Sequence, residues 1–178
     1  MQFASPDALD RARRVKLMLF DVDGVLTDGN LWYSPSGEEI KAFHSLDGLG
    51  LQLLSKSGVH VGLLSGRASP AVAIRGAQLG VQHVVQGSQD KRQSYERLLK
   101  KLKLDRDETG FMGDDLVDVP VLLRCGFACT THEAPEDVRK RAHYVAATPS
   151  GSGAAREVCE YIMRAQGTLR HVIAWYLR

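Results

Sequence analysis

The sequence predicts an α/β fold with a doubly wound, mostly parallel sheet and helices on both faces. Three observations predict it. Leu17, Met18, Leu19, Phe20 and, across Asp21, Val22 form an almost continuous apolar run, the pattern of a strand covered on both faces. Short apolar runs then alternate with helical patterns along most of the chain, which implies right-handed crossovers between parallel strands. Finally, several of the apolar runs end on a polar side chain, so the strand C-termini gather such groups along one rim, where open α/β sheets bind ligands.

The elements follow in order. Ser5-Pro6-Asp7 reads as a helix start, an N-cap and then proline at the first helical position, and that helix ends near Arg14. The first strand covers residues 15–20 and turns on Gly24. Residues 30–43 read as a hairpin around Ser34-Pro35-Ser36-Gly37, with Leu31, Trp32 and Tyr33 facing either their own domain or another subunit. A leucine-rich helix over 47–57 stops at Gly58, and a buried strand over 59–65 ends in Ser65-Gly66-Arg67. Ser69-Pro70 starts a helix that runs to Leu79, a strand spans 81–85, and an amphipathic helix spans 89–103 with Lys91 in its first turn. A strand at 109–112 precedes Gly113-Asp114-Asp115. A helix at 116–124, a strand at 126–129, a helix at 135–141 and a short strand at Tyr144-Val145 come next. A flexible PSGSG segment over 149–153 leads into a long terminal helix that Gly167 breaks. The sheet is Rossmann-like.

Composition limits the function classes. The 178 residues suit one domain, 1–178, with a hairpin at about 30–43 and a glycine-rich tail and C-terminal helix at about 149–178. A net charge of +2 argues against nucleic acid and membrane surfaces. The basic cluster Arg11, Arg13, Arg14 and Lys16 reads as a solvated helix face. Three cysteines without a CxxC pair argue against a disulfide framework or zinc site and for buried thiols in a reducing cytoplasm. There is no apolar leader and no run long enough to span a bilayer, so a cytoplasmic location is expected.

Asp21 and Asp23 share a strand face unless the chain bends at Val22, in which case they converge. Converging carboxylates repel, which hints at a hard metal. The plainer alternative is a DxDG surface turn with solvated acids. Asp21, Asp23, Ser65, Lys91, Asp114, Asp115 and Asp118 all fall on the same rim, an order that a random polar edge lacks. Lysine is unfavourable at a helix N-terminus, so Lys91 there points to an anionic partner.

Across nearly its whole length the sequence resembles the haloacid dehalogenase superfamily of phosphohydrolases. The matching motifs are Asp21-Val22-Asp23-Gly24-Val25-Leu26-Thr27, Leu64-Ser65-Gly66-Arg67, Lys91, and Gly113-Asp114-Asp115-Leu116-Val117-Asp118. The resemblance implies Asp21 as nucleophile, through an aspartyl-phosphate, and Asp23 as general acid and base. It implies Mg²⁺ held by the Asp21 carboxylate, the Asp23 backbone carbonyl and the Asp114 carboxylate. Ser65 and the amide after it, at Gly66, would bind phosphoryl oxygens, Lys91 would offset their charge, and Asp115 and Asp118 would orient water and Lys91.

Forty-four positions separate Asp21 from Ser65 and twenty-six separate Ser65 from Lys91, too few for a cap domain. One capless family resembles residues 15–167 closely: the 3-deoxy-D-manno-octulosonate 8-phosphate phosphatases. Gly37-Glu38-Glu39, Lys41-Ala42-Phe43, Asp47-Gly48, Arg75, the segment Gly151–Cys159 and Ala165-Gln166-Gly167 carry that match. It implies a homotetramer whose hairpins meet centrally and whose neighbours help close each site. It also implies substrate contacts from His44, Ser45, Leu46, Asp47, Gly48, Gln52, Arg67, Arg75 and Lys91. Leu46 and Gln52 stand where that family has arginine, His44 replaces asparagine and Ser150 replaces glycine, so Arg156 of a neighbour is a candidate compensating cation. The expected activity is Mg²⁺-dependent hydrolysis of the octulosonate 8-phosphate in lipopolysaccharide sugar synthesis, with a nonulosonate 9-phosphate as the alternative substrate. A dehalogenase or phosphonate-cleaving enzyme and a phosphate-sensing domain without catalysis are the other classes weighed. Asp23, suited to protonating an alkoxide, speaks against the first, and the joint presence of Asp21, Asp23, Lys91 and Asp114 against the second.

Overall fold

The computed structural model describes residues 3–178. In chain order its elements are β1 (Phe3–Ala4), α1 (Ala8–Arg14), β2 (Leu17–Phe20), β3 (Trp32–Tyr33), β4 (Glu39–Ile40), α2 (Ser45–Lys56), β5 (His60–Leu64), α3 (Pro70–Leu79), β6 (His83–Val85) and α4 (Lys91–Leu102). Then come β7 (Thr109–Met112), α5 (Val119–Leu122), β8 (Phe127–Thr131), α6 (Glu136–Arg139), β9 (Tyr144–Ala146), α7 (Ala154–Ala165) and α8 (Leu169–Ala174). The main sheet runs β1-β9-β8-β7-β2-β5-β6, and β3 pairs with β4 as a separate antiparallel hairpin. Every strand pair in the main sheet is parallel except β1 with β9.

β2 is flanked by β5 and β7, so its end is the centre of the rim. Its side chains alternate between two cores, as a strand's period of two demands. Met18 and Phe20 pack with Leu53 and Leu54 of α2 and Val158 and Ile162 of α7. Leu17 and Leu19 pack on the opposite face with Tyr95, Leu98 and Leu99 of α4, which recur at helical spacing. α2 and α7 approach closely because Gly50 has no side chain; a Cβ there would lie 2.8 Å from the Arg156 Cα. No helix among the described residues is long and apolar enough to cross a membrane.

Most expected elements are present, with four differences. The first helix starts at Ala8, not at Ser5-Pro6. The Ser5 amide instead donates to His143 O at 2.8 Å, continuing the pairing of β1, an edge strand too short to recognise from residue pattern. The hairpin strands shrink to two residues each. The helix expected over 116–124 splits, because Asp115 and Asp118 form a capping box around a 3₁₀ turn, Leu116–Asp118, before α5 begins. The helix expected over 135–141 is the single turn α6.

Glu157 in the first turn of α7 ties the end of β9 to that helix. Its carboxylate accepts from the Tyr144 hydroxyl (2.9 Å), the Ala147 amide (3.0 Å), the Thr148 amide (2.8 Å) and the Thr148 hydroxyl (2.5 Å). Burial pushes the group up, but the Thr148 bonds and the other donors outweigh burial and hold it below its ordinary value. A carboxyl depressed in the folded state stabilises the fold above its unfolded value and loses that contribution as pH falls. Glu157→Gln is therefore expected to cost about 1–3 kcal/mol at neutral pH. The gap between variant and wild type in denaturant midpoints should narrow as pH drops below the ordinary glutamate value of 4.5.

Candidate active site

The rim around β2 is built by three strand ends, of β2, β5 and β7, and one helix start, of α4. The Asp21 amide continues the ladder by donating to Met112 O at 2.8 Å. The chain then bends: the amides of Val25, Leu26 and Thr27 all donate to Val22 O, and Gly24 sits at φ +81°. Any side chain at Gly24 would meet that backbone strain and would also collide with the Asp114 carboxylate. The bend places Asp21 and Asp23 on the wall of one open cleft, Asp21 bonded to Lys91 and Asp23 to Lys41. The cleft has a volume of about 480 Å³, and Ser65, Gly66, Arg67, Lys91, Asp114 and Asp115 also line it.

Lys91 is the first residue of α4, with Asp90 capping the helix by accepting from Gln93 N at 3.0 Å. Its side chain is buried, and Nζ lies 2.6 Å from both Asp21 Oδ2 and Asp118 Oδ1. Asp118 is fully buried, and its second oxygen accepts from the amides of Asp114 (3.0 Å) and Asp115 (3.2 Å). Asp118 thus fixes both the lysine and the loop that presents Asp114. Asp115 is exposed and caps the 3₁₀ turn by accepting from Leu116 N at 2.7 Å.

Carboxylate oxygens of Asp21, Asp114 and Asp118 lie within 4.8 Å of one another. Burial and the Asp118 charge push Asp21 up to about 7, although Lys91 pulls it down. Burial, Asp118 and Asp115 likewise push Asp114 up to about 7. Burial opposes the charge on Lys91, but Asp21 and Asp118 outweigh it and raise its pKa. One ammonium therefore faces three acids, and the surplus negative charge suits a hard divalent cation coordinated by oxygen. The Asp21 and Asp114 carboxylates are the ones on the cleft wall that fit it, whereas Asp118 is fully buried behind them and does not line the cleft.

Ser65 follows β5, is buried, and its Oγ accepts from Arg67 N at 3.2 Å, an orientation that also caps the turn. Two residues that entered only as part of a family match, Lys41 and Glu39, hold side chains on the cleft wall. The Lys41 ammonium bonds Asp23 Oδ1 and lies 3.2 Å from Glu39 Oε1. Glu39 Oε1 also accepts from Arg67 Nη2 at 2.6 Å, and Arg67 Nη2 donates to the Tyr33 hydroxyl at 2.9 Å. A lysine just past the two-residue strand β4, between Ile40 and Ala42-Phe43, was the available signal.

The remaining expected contacts are not on this cleft in their own chain. His44 caps α2, its Nδ1 accepting from Leu46 N at 3.2 Å, and Leu46 is 50% exposed beside Gly153. Asp47 is buried and accepts from the amides of Gly153 (3.1 Å) and Arg156 (2.9 Å), joining the N-termini of α2 and α7. Both Asp47 oxygens are thereby engaged within their own chain. The Arg75 guanidinium lies against Gly48, while Ser45 and Gln52 also sit on α2 away from the acids. Arg156 bonds Glu160 on its own helix at 2.6 Å.

The haloacid dehalogenase-like hydrolase profile matches residues 64–158. The chain is 37% identical to the 3-deoxy-D-manno-octulosonate 8-phosphate phosphatase of Yersinia pestis over 92% of this chain and 87% of that one. It superposes with TM-score 0.93 on the crystal structure of the Moraxella catarrhalis phosphatase of that name in complex with magnesium ion, phosphate ion and KDO, at 38% identity over 96% of this chain and 98% of that one. A probable phosphatase of the yrbi family from Pseudomonas syringae gives TM-score 0.95 at 42% identity, covering 98% of this chain and 99% of that one. With this agreement in sequence, fold and rim geometry, the chain belongs to the haloacid dehalogenase-like hydrolases, in the family of the 3-deoxy-D-manno-octulosonate 8-phosphate phosphatases.

Proposed function

We propose that this chain is a Mg²⁺-dependent phosphatase that hydrolyses 3-deoxy-D-manno-octulosonate 8-phosphate to the free sugar acid and phosphate, a step in lipopolysaccharide sugar synthesis. The observation that carries this reading is the buried Asp21–Lys91–Asp118 cluster facing Asp114 on the floor of the cleft. The Moraxella relative, crystallised with magnesium, phosphate and KDO, supports it.

In this reading Asp21 is the nucleophile, and one of its oxygens bonds to phosphorus as the ester bond breaks. The Val22 amide donates to Asp21 Oδ1 at 2.7 Å and Lys91 to Oδ2, so the carboxylate is held before substrate arrives. Asp23 gives its proton to the departing alcohol oxygen and then takes one from the water that opens the aspartyl-phosphate. Ser65 and the Gly66 amide bind phosphoryl oxygens, and Lys91 offsets their charge. Mg²⁺, held by the Asp21 and Asp114 carboxylates and the Asp23 carbonyl, supplies further positive charge against the phosphoryl group.

The domain acts as one catalytic unit without a cap. Its open cleft is covered by neighbours in a homotetramer, a reading supported by exposed Leu31, Trp32, Tyr33 and Ile40 on the hairpin. His44, Leu46, Gly48, Gln52, Arg75 and Arg156 then serve a neighbouring opening, not their own. Three buried free thiols support a cytoplasmic location. Leu46 and Gln52, in place of two arginines, favour testing a nonulosonate 9-phosphate as the second substrate.

Asp21→Asn is expected to abolish turnover while leaving the melting temperature within a few degrees of wild type. Steady-state phosphate release from both esters, with a thermal melt of each protein, checks this. Turnover of the nonulosonate ester but not of the octulosonate ester would reassign the substrate. Magnesium at a hundred times its dissociation constant should stabilise the wild-type fold by about 2.7 kcal/mol. Asp114→Asn should lose most of that gain, read by melts with and without the ion.

A further inference from the structure

The chain of charges at the lip of the cleft assigns a task to Lys41 that the phosphoryl-transfer machinery does not include. Its side chain is only 2% exposed, so substrate does not reach the ammonium. A buried ammonium is tolerated only when it is paired; the Glu39 carboxylate on β4 supplies that charge, and Lys41 also donates to Asp23 Oδ1 on the cleft wall, a bond that the acid keeps when its proton is on Oδ2. Glu39 in turn holds Arg67, which also takes the Tyr33 hydroxyl, and Tyr33 is the register partner of Glu39 across the hairpin. Strands of two residues do not hold a hairpin by their ladder alone, so this ionic chain is what fastens the hairpin to the cleft.

Lys41 engages Oδ1 of Asp23, whereas Oδ2 lies 4.0 Å from the Arg67 Nε. One oxygen is thereby anchored and the other is left for the departing group. Resting on the function given above, we propose that Lys41 is a positioning residue: it fixes the rotamer of Asp23 so that Oδ2 delivers its proton to the leaving oxygen. In that step an Asp21 oxygen bonds to phosphorus, the phosphorus–alcohol bond breaks, and its electron pair takes the proton from Asp23. The products are an alcohol, the aspartyl-phosphate and the Asp23 carboxylate. An alkoxide cannot leave without that proton, whereas 4-nitrophenolate can.

The experiment compares kcat/KM, which reads the steps through departure of the alcohol, for the sugar phosphate and for 4-nitrophenyl phosphate. Lys41→Met is expected to lower the value for the sugar phosphate about 100-fold and that for the nitrophenyl ester by less than about threefold. Equal losses on the two esters, or no loss on either, overturn the positioning role. Should Lys41→Met fail to melt cooperatively, Lys41→Arg, which keeps the charge but changes the donor geometry, carries the same comparison: a larger loss on the sugar phosphate supports the role, and equal losses overturn it. A wild-type chain that hydrolyses neither ester overturns the functional reading and this one with it, whereas wild-type turnover with equal losses in the variants overturns this one alone.

Discussion

The Lys91 ammonium between Asp21 and Asp118 is the interaction on which the rest of the site depends. Burying a carboxylate costs several kcal/mol unless a partner compensates, and here Lys91 stands beside two buried acids with a third, Asp114, close by. The lysine can stand there because α4 begins at that residue and Asp90 supplies the cap that the helix needs. Asp118 can stand there because the 3₁₀ turn aims two backbone amides at its free oxygen. Removing any of these supports would leave an unpaired charge out of water. The surplus negative charge that remains gives the cleft its demand for cations, and it is the same surplus that a phosphate monoester would otherwise meet as repulsion.

The fold serves this cluster by making β2 central. Leu17 and Leu19 seat one helical layer and Met18 and Phe20 the other, so the strand that carries Asp21 cannot shift register without exposing both cores. Asp21, the proposed nucleophile, is thus fixed at the end of a strand packed on both faces. The groups around it arrive on turns: Ser65 after β5 and Asp114 after β7, in parallel register with β2. Rigid strands set the positions of these turns, and short loops set the orientation of the side chains.

Much of this was legible in the sequence because the signals were local and repeated. The apolar run before Asp21 marked a doubly covered strand, and polar residues at successive strand ends placed Ser65 and Asp114 beside it. Lys91 could be placed because a lysine at a helix start runs against the dipole. What was not legible depended on contacts between distant segments. β1 is two residues long and exists only because β9 lies alongside it. Asp47 looked like a ligand, yet its oxygens are taken by the amides of Gly153 and Arg156, more than a hundred residues away. Lys41 and Glu39 entered only as parts of a family match, and only the folded chain shows them joined to Asp23 and Arg67.

The hairpin also bears on how a capless cleft can be selective. Arg67 is 44% exposed by side chain at the lip, the natural position for meeting a substrate carboxylate. Its Nε and Nη2 are taken by Glu39 and its Nη2 also by Tyr33, so the guanidinium is oriented by the hairpin and not by substrate. A fixed fork loses little side-chain entropy on binding, and it discriminates by geometry because its remaining edge is presented in one direction. Lys41 shares Glu39 with Arg67, which links the side chain proposed to orient Asp23 to the side chain that would read the sugar acid. A hairpin displaced by a neighbour would therefore move both at once. On the proposed roles, substrate selection and leaving-group protonation would both be set through the few residues of one hairpin.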